Sequence, residues 1–424
     1  MISKKTNEII LIAALNVLVI LVLLRPGLLS LVLPVLLFCS ITSIIQKNRS
    51  FAQLMQNRFW ILSLILPLIY LAGSWNTSHP NKAWFEITQK LSIPLIGFLM
   101  IQAVSDTNRF FQHMRKYYLI TISVCVLVSL TASGILFLET KSTDAFLYKS
   151  FSGSNHPAYY AMFLCMAFVI SLENLLKPEY LNKYLVIRIL LLIIPTAGIL
   201  LLSSKSGLIT MIALMLYYVL RITFGKVNAS KNAFKIKISF WLTLVIMSVF
   251  ILKSDRFYVA TLGLKQIHEK PFEELGTAGQ RLLIWESVLE VSKDYPAFGT
   301  GVGNDQEILN NNYRQKNLIP FYEKSLNAHN QFLQAFLVLG IFGLLFIIIY
   351  LFYPLIMGLR LKDPYLTGFG IIILINALTE SILNRQSGVL FWTLWGFILL
   401  IGRQIPKMKL KFFSNKEKPE VTIQ

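Results

Sequence analysis

Charged residues are scarce in this sequence. Asp, Glu, Lys and Arg together make up 14% of its 424 residues, little more than half the share in an average soluble domain. A chain with so little charge does not have the surface of an ordinary soluble fold. Cysteine is also rare. Cys39, Cys125 and Cys165 each fall inside an apolar run, so the polar segments have neither a disulfide framework nor a thiolate metal site. There is no His-x-x-x-His pair and no Cys pair, and the acidic residues near His329 lack the spacing of helical ligands. A zinc site is therefore not expected, and no metal or other cofactor is implied. Internal repeats and low-complexity linkers are likewise missing.

Apolar residues are abundant. They make up 55% of the chain, and the mean hydropathy is +0.61. Runs long enough to cross a hydrocarbon core of about 30 Å recur near 8–24, 28–45, 59–74, 91–104, 117–138, 157–174, 184–202, 206–223, 236–252, 330–357, 365–379 and 387–402. Backbone groups in lipid are satisfied by helices or closed barrels, and runs this apolar are helices. The fold expected is an all-α polytopic membrane protein with about 12 transmembrane helices and one long outer loop between helices 9 and 10. The expected organisation is helices 1–9 over 1–252, the loop over 253–329, helices 10–12 over 330–402 and a basic tail over 403–424. The first run follows two lysines without a small-residue cleavage site, so it reads as a retained span.

The net charge of +19 follows from this topology. With a cytoplasmic start, the inner segments carry 24 of the 40 basic residues and the short outer loops 7. That asymmetry places both termini in the cytoplasm and attracts anionic membrane lipids. No nucleic-acid partner is implied. The long loop is close to neutral, so any anion site in it depends on particular cations. Residues 280–293 read as a helix with Ile284, Trp285, Val288 and Val291 on one face and Arg281 near its start, stopped by Tyr295-Pro296. Gly299-Thr300-Gly301-Val302-Gly303 lacks the context of a nucleotide-binding loop and reads as a tight turn packed on its neighbours.

A few groups at the outer boundary could carry chemistry. His329 closes the long loop just before the tenth span, which suits a proton acceptor for a lipid-linked polar substrate. His156, beside Asn155 and before Pro157, stands at the mouth of the sixth span as a possible substrate contact. His79 and His268 read as solvated, and His113 as cytoplasmic. Lys205, in Ser203-Ser204-Lys205-Ser206-Gly207, separates two spans by a few residues, where a charge is functional or snorkels to the interface. Glu380 and Arg385 flank the last outer junction and are expected to pair with each other.

In order and wording these segments resemble the O-antigen ligase and polymerase superfamily. The Ser-Ser-Lys-Ser-Gly junction comes first. Gly279-Gln280-Arg281 with Trp285, then Tyr295-Pro296-Ala297-Phe298-Gly299-Thr300-Gly301, follow within the long loop. His329-Asn330-Gln331-Phe332-Leu333 and Leu339-Gly340-Ile341-Phe342-Gly343 close the pattern. The match is strong over about 200–360 and topological before it. The resemblance implies a GT-C-like membrane glycosyltransferase. It would move a glycan from undecaprenyl diphosphate to an acceptor hydroxyl, lipid A-core for a ligase, on the periplasmic face of the bacterial inner membrane, inverting and metal-independent. It places the catalytic histidine at His329 and the diphosphate cations at Arg281 and Lys205, with Asn330, His156, Asn155, Glu380 and Arg385 as possible substrate contacts. The family usually has arginine where Lys205 stands, and lysine cannot make the bidentate phosphate fork. A polysaccharide polymerase and a protein O-oligosaccharyltransferase of the same superfamily are alternatives. From a different class, a secondary transporter also fits twelve spans, although the halves look unlike and the charges lie at the boundary rather than mid-helix. A lipid-glycan binding protein without catalysis is the third reading.

Overall fold

The computed structural model describes residues 3–46, 55–176, 184–224 and 275–401, with a few positions between 241 and 249. Apart from those positions, the ninth predicted span lies outside the described residues. So do the first part of the long loop with His268, and the basic tail.

Helices are the regular structure, and no strand occurs among the described residues. The bundle is built from α1 (Lys4–Leu24), α2 (Leu33–Ile45), α3 (Arg58–Ala72), α4 (Pro80–Ala103) and α5 (Thr107–Thr140), then a single turn α6 (Tyr148–Ser152), α7 (Pro157–Leu176), α8 (Leu185–Leu202) and α9 (Lys205–Phe224). Three polar-segment helices follow, α10 (Gly276–Asp294), α11 (Asp305–Gln315) and α12 (Ile319–Glu323). The chain returns to the bundle with α13 (Gln331–Arg360), α14 (Pro364–Thr379) and α15 (Gln386–Leu400). Among the described residues, seven helices are long and apolar enough to cross a membrane, and α2, α3, α14 and α15 are shorter apolar helices. This is a polytopic membrane protein. Each predicted run outside 236–252 overlaps one of these helices, although the run at 28–45 begins in a separate 3-10 turn, Pro26–Val32.

Polar side chains set the helix starts. Asn57, Asp106, Asn330 and Asp363 each accept backbone N–H groups of the following first turn, which satisfies donors that lipid would leave bare. Pro157 opens α7 as expected. α7 and α15 run through the middle, buried almost throughout from Pro157 to Glu173 and from Gly388 to Leu400. The rings of Phe163 and Phe391 meet edge to face with centroids 5.0 Å apart, and Tyr118 meets Trp395 at 4.7 Å. Some of the polar atoms here are paired within the protein. Trp392 Nε1 donates to the Tyr350 hydroxyl at 2.7 Å, which lies 2.8 Å from Ser63 Oγ.

Two elements differ from the sequence reading. The fourth span was expected at 91–104 with Lys90 in an outer loop, yet α4 begins at Pro80 and Lys90 is 0% exposed inside it. Its Nζ donates to the Leu383 carbonyl at 2.6 Å, to Asn384 Oδ1 at 3.1 Å and to Gln89 Oε1 at 3.0 Å. Charges in the first half of α4 lower its hydropathy, and partners elsewhere in the chain make their burial tolerable. The tenth span, expected as one stretch, is interrupted at Gly340 (φ 64°, ψ −158°). The chain from Tyr295 to Gly303 packs into that break. Ile341 N–H donates to the Pro296 carbonyl, and Thr300 and Gly301 N–H groups donate to the carbonyls of Leu337 and Val338. Gly299, Gly301 and Gly303 all have positive φ, and a Cβ on Gly299 would collide with the Val338 backbone. The glycine run is thus a close-packed turn, as the sequence suggested.

The segment 275–329 has its own small core, formed by Ile284, Val288, Val291, Leu309, Tyr313, Phe321 and Ala328 against Leu337 of α13. The helix read over 280–293 is present in α10, with Tyr295 as its C-cap. Trp285 Nε1 donates to the Ala328 carbonyl at 3.0 Å and ties α10 to the residue before His329.

Candidate functional site

Four separate stretches of sequence meet at one end of the bundle. Lys205 opens α9 directly after the sharp turn at Ser203 (φ 44°). Arg281 lies in the second turn of α10, and Glu380 caps the C-terminus of α14. His329 sits in the turn before α13, in a left-handed conformation (φ 44°) that non-glycine residues rarely take. Such backbone is held only when its surroundings over-determine it. Here the Asn327 side chain accepts the His329 N–H at 3.1 Å. Asn330 caps α13 by accepting from Phe332 and Leu333. Two fully buried glutamines complete the frame. Gln334 Oε1 accepts the Ala328 N–H while its Nε2 donates to Asp305, and Gln331 Oε1 accepts the Leu383 N–H at 2.7 Å.

The central contact is a carboxylate shared by two cationic or potentially cationic groups. Arg281 Nη2 donates to Glu380 Oε1 at 2.6 Å, and His329 Nδ1 faces Glu380 Oε2 at 3.5 Å. The second approach is long for a formed hydrogen bond, and His329 Nδ1 has no other partner among the described residues. The ion pair expected between Glu380 and Arg385 is replaced by this arrangement. Burial pushes the Glu380 carboxyl up, but contact with His329 and the charges of Arg281, His329 and His156 outweigh it and hold the group below its ordinary range. Glu380 is therefore an anion at neutral pH.

A cavity of about 370 Å³ opens beside this carboxylate. His156, Ser203, Ser204, Lys205, Thr277 and Arg281 contribute to its walls. Lys205 Nζ donates to Thr277 Oγ1 at 2.9 Å, so the two cations face one cavity from α9 and α10. His156 Nδ1 accepts the Ala158 N–H at 3.3 Å, which assigns the neutral ring's proton to Nε2 as a donor. Burial lowers the His156 pKa, reinforced by Arg281, His329 and Arg385 and opposed by Glu380. The ring is neutral at physiological pH.

The structure thus brings Lys205, Arg281, Glu380, His329 and His156 together. It gives Asn155 and Asn330 structural bonds. Asn155 Oδ1 accepts from His156 N–H and Ser387 Oγ, and its Nδ2 donates to the Val22 carbonyl. Arg385 is exposed on a second cleft, of about 260 Å³, which His329 also lines. His79, read as solvated, meets Glu307 at 2.7 Å near the surface. The role of Glu380 as the link between Arg281 and His329 was not legible, since its sequence neighbour Arg385 offered the simpler pairing. Among the described residues, no group of three or more His, Cys, Asp or Glu could hold a metal ion.

Residues 190–348 match the family described as O-antigen ligase, in agreement with the resemblance read from the sequence. The match includes Lys205, Arg281 and His329 and ends before Glu380. No curated protein matches the chain.

Proposed function

Because residues 190–348 carry the O-antigen ligase family domain, we propose that the protein transfers a glycan from a lipid diphosphate to an acceptor hydroxyl. In this reading the donor is undecaprenyl-diphosphate-linked and the acceptor is lipid A-core. The reaction takes place on the periplasmic face of the inner membrane, with both termini cytoplasmic and 253–329 as the periplasmic loop between helices 9 and 10 of twelve. The observation that carries the reading is the Glu380 bridge, which fixes a cation and an imidazole against one another beside a cavity.

The steps follow from the charges. The acceptor oxygen attacks C1 of the donor sugar, and the C1–O bond to the diphosphate breaks, inverting the anomeric centre. The bonding pair leaves on the diphosphate, whose growing negative charge Lys205 and Arg281 stabilise in place, more in the transition state than before it. The neutral Nε2–H of His156 can donate to the same leaving group. With Nδ1 turned to Glu380, His329 keeps the Nε2 lone pair for the acceptor proton, and the resulting imidazolium is stabilised by the carboxylate. Glu380 thereby serves both halves of the reaction.

The test combines purified protein, undecaprenyl-diphosphate glycan and lipid A-core, followed by sizing of the products. One addition to lipid A-core supports the ligase reading. A ladder built from donor alone would reassign the protein as a polymerase. Unchanged donor and acceptor would remove the transferase reading.

A further inference from the structure

The second cleft is separated from the cation-lined cavity by His329 and Glu380 and has a different character. It lies between the first half of α4, the start of α11 and the turns at 324–329 and 384–385. Two of its charges are already matched, since Lys82 Nζ lies 2.7 Å from Asp305 Oδ1. Glu86 is only loosely matched. It is 7% exposed, Lys82 Nζ lies 4.0 Å from its Oε1, and its Oε2 has no hydrogen-bond partner among the described residues. A buried carboxylate oxygen without a donor is costly, and a ligand hydroxyl at this cleft would satisfy it.

The amides in the wall are also oriented. Buried Lys90 takes the side-chain oxygens of both Gln89 and Asn384, which turns their NH₂ groups away from it as donors. Exposed Lys324 and Arg385 stand at the rim. The cleft therefore offers one deep acceptor and several donors with a cationic rim. That pattern fits a hydroxyl-rich sugar bearing an acidic substituent.

We infer that this cleft holds the acceptor glycan, with a hydroxyl on Glu86 and an anionic substituent, phosphate or carboxylate, against Lys324 and Arg385. The inference rests on the transfer reaction proposed above and names the place of its second substrate. An acceptor seated here lies against His329, which lines this cleft, while Lys205 and Arg281 line the other cavity.

The test measures binding rather than turnover. Labelled phosphorylated core oligosaccharide is titrated, without donor, into full-length protein in lipid nanodiscs. The wild type should bind it, and the dephosphorylated oligosaccharide should bind about tenfold more weakly, the loss of one charge-assisted contact. Glu86→Gln and Arg385→Ala should each weaken binding of the phosphorylated probe by a similar factor. Arg385 lies at the exposed rim, so its removal leaves the fold intact if Glu86→Gln does not. Absence of binding by the wild type, or binding indifferent to both substitutions, overturns the inference. Binding that behaves as expected, with no transfer when donor is added, leaves the cleft assigned and removes the transferase reading instead.

Discussion

Arg281 Nη2 donates to Glu380 Oε1 at 2.6 Å, joining residues 99 positions apart. The other oxygen of the same carboxylate faces His329. One buried anion thus couples the polar helix α10 to the bundle end where the imidazole sits, and changes at Glu380 should be felt on both sides.

Glu380→Gln should keep the shape and remove the charge. We expect transfer to fall by at least tenfold, and by no more than the 10²–10⁴ that general-base catalysis contributes. Because the Glu380 pKa is held below its ordinary value of 4.5, its contribution to stability is complete above that value and is lost only as pH falls through the lower, folded pKa. The melting-temperature gap between wild type and Glu380→Gln should not shrink between pH 8 and about pH 5, and should narrow only in stronger acid. A gap that closes by pH 6 would contradict the pairing.

The two cations should respond differently to substitution. Arg281→Ala should remove most transfer, and Arg281→Lys should restore part of it, because lysine cannot reproduce the guanidinium fork. At the other wall of the cavity, Lys205→Arg should keep activity and Lys205→Ala should lose it. Transfer assays on detergent-purified variants at equal protein level read both. Full activity in Lys205→Ala would leave Lys205 as an interfacial anchor.

His156 makes a separate prediction about stability. Its folded pKa lies below the ordinary 6.5, so on acidification the unfolded chain takes up a proton before the folded one does. Stability should therefore drop as pH falls through about 6.5. His156→Gln removes that proton uptake, so between pH 7 and pH 5 the variant should lose less melting temperature than the wild type. An equal loss in both would contradict a buried neutral imidazole.

Gly340 tests the seat of the 295–303 turn. It has φ 64°, and a Cβ there would meet the Ala297 carbonyl. Gly340→Ala should cost about 1–3 kcal/mol from backbone strain and overpacking, visible as a lower melting temperature in the same detergent. Melting at the wild-type temperature would show that the turn does not depend on this close approach.

Much of this was legible in the sequence because lipid makes long apolar runs unambiguous. The helices, the stop at Tyr295-Pro296 and the packing role of the Gly299–Gly303 turn all follow from local pattern. What escaped the reading depends on partners distant in sequence. Lys90 reads as a loop residue until the carbonyl of Leu383 is brought to it. Glu380 reads as a partner for Arg385, five positions on, because nothing local shows that α10 delivers Arg281. Asn330 has the polarity of a substrate contact and the position of a helix cap, and the backbone bonds it makes are those of a cap. The order Lys205, Arg281, His329 was readable, but the carboxylate that links the last two was not.

His329→Ala is the decisive variant. Transfer is measured with purified protein and saturating donor and acceptor, and donor binding is measured in parallel. If His329 accepts the acceptor proton, turnover should fall by about 10²–10⁴ while donor binding persists, since Lys205 and Arg281 remain in place. Near-normal turnover at unchanged protein level and donor binding would contradict the proposal and leave His329 as a structural residue of the turn before α13.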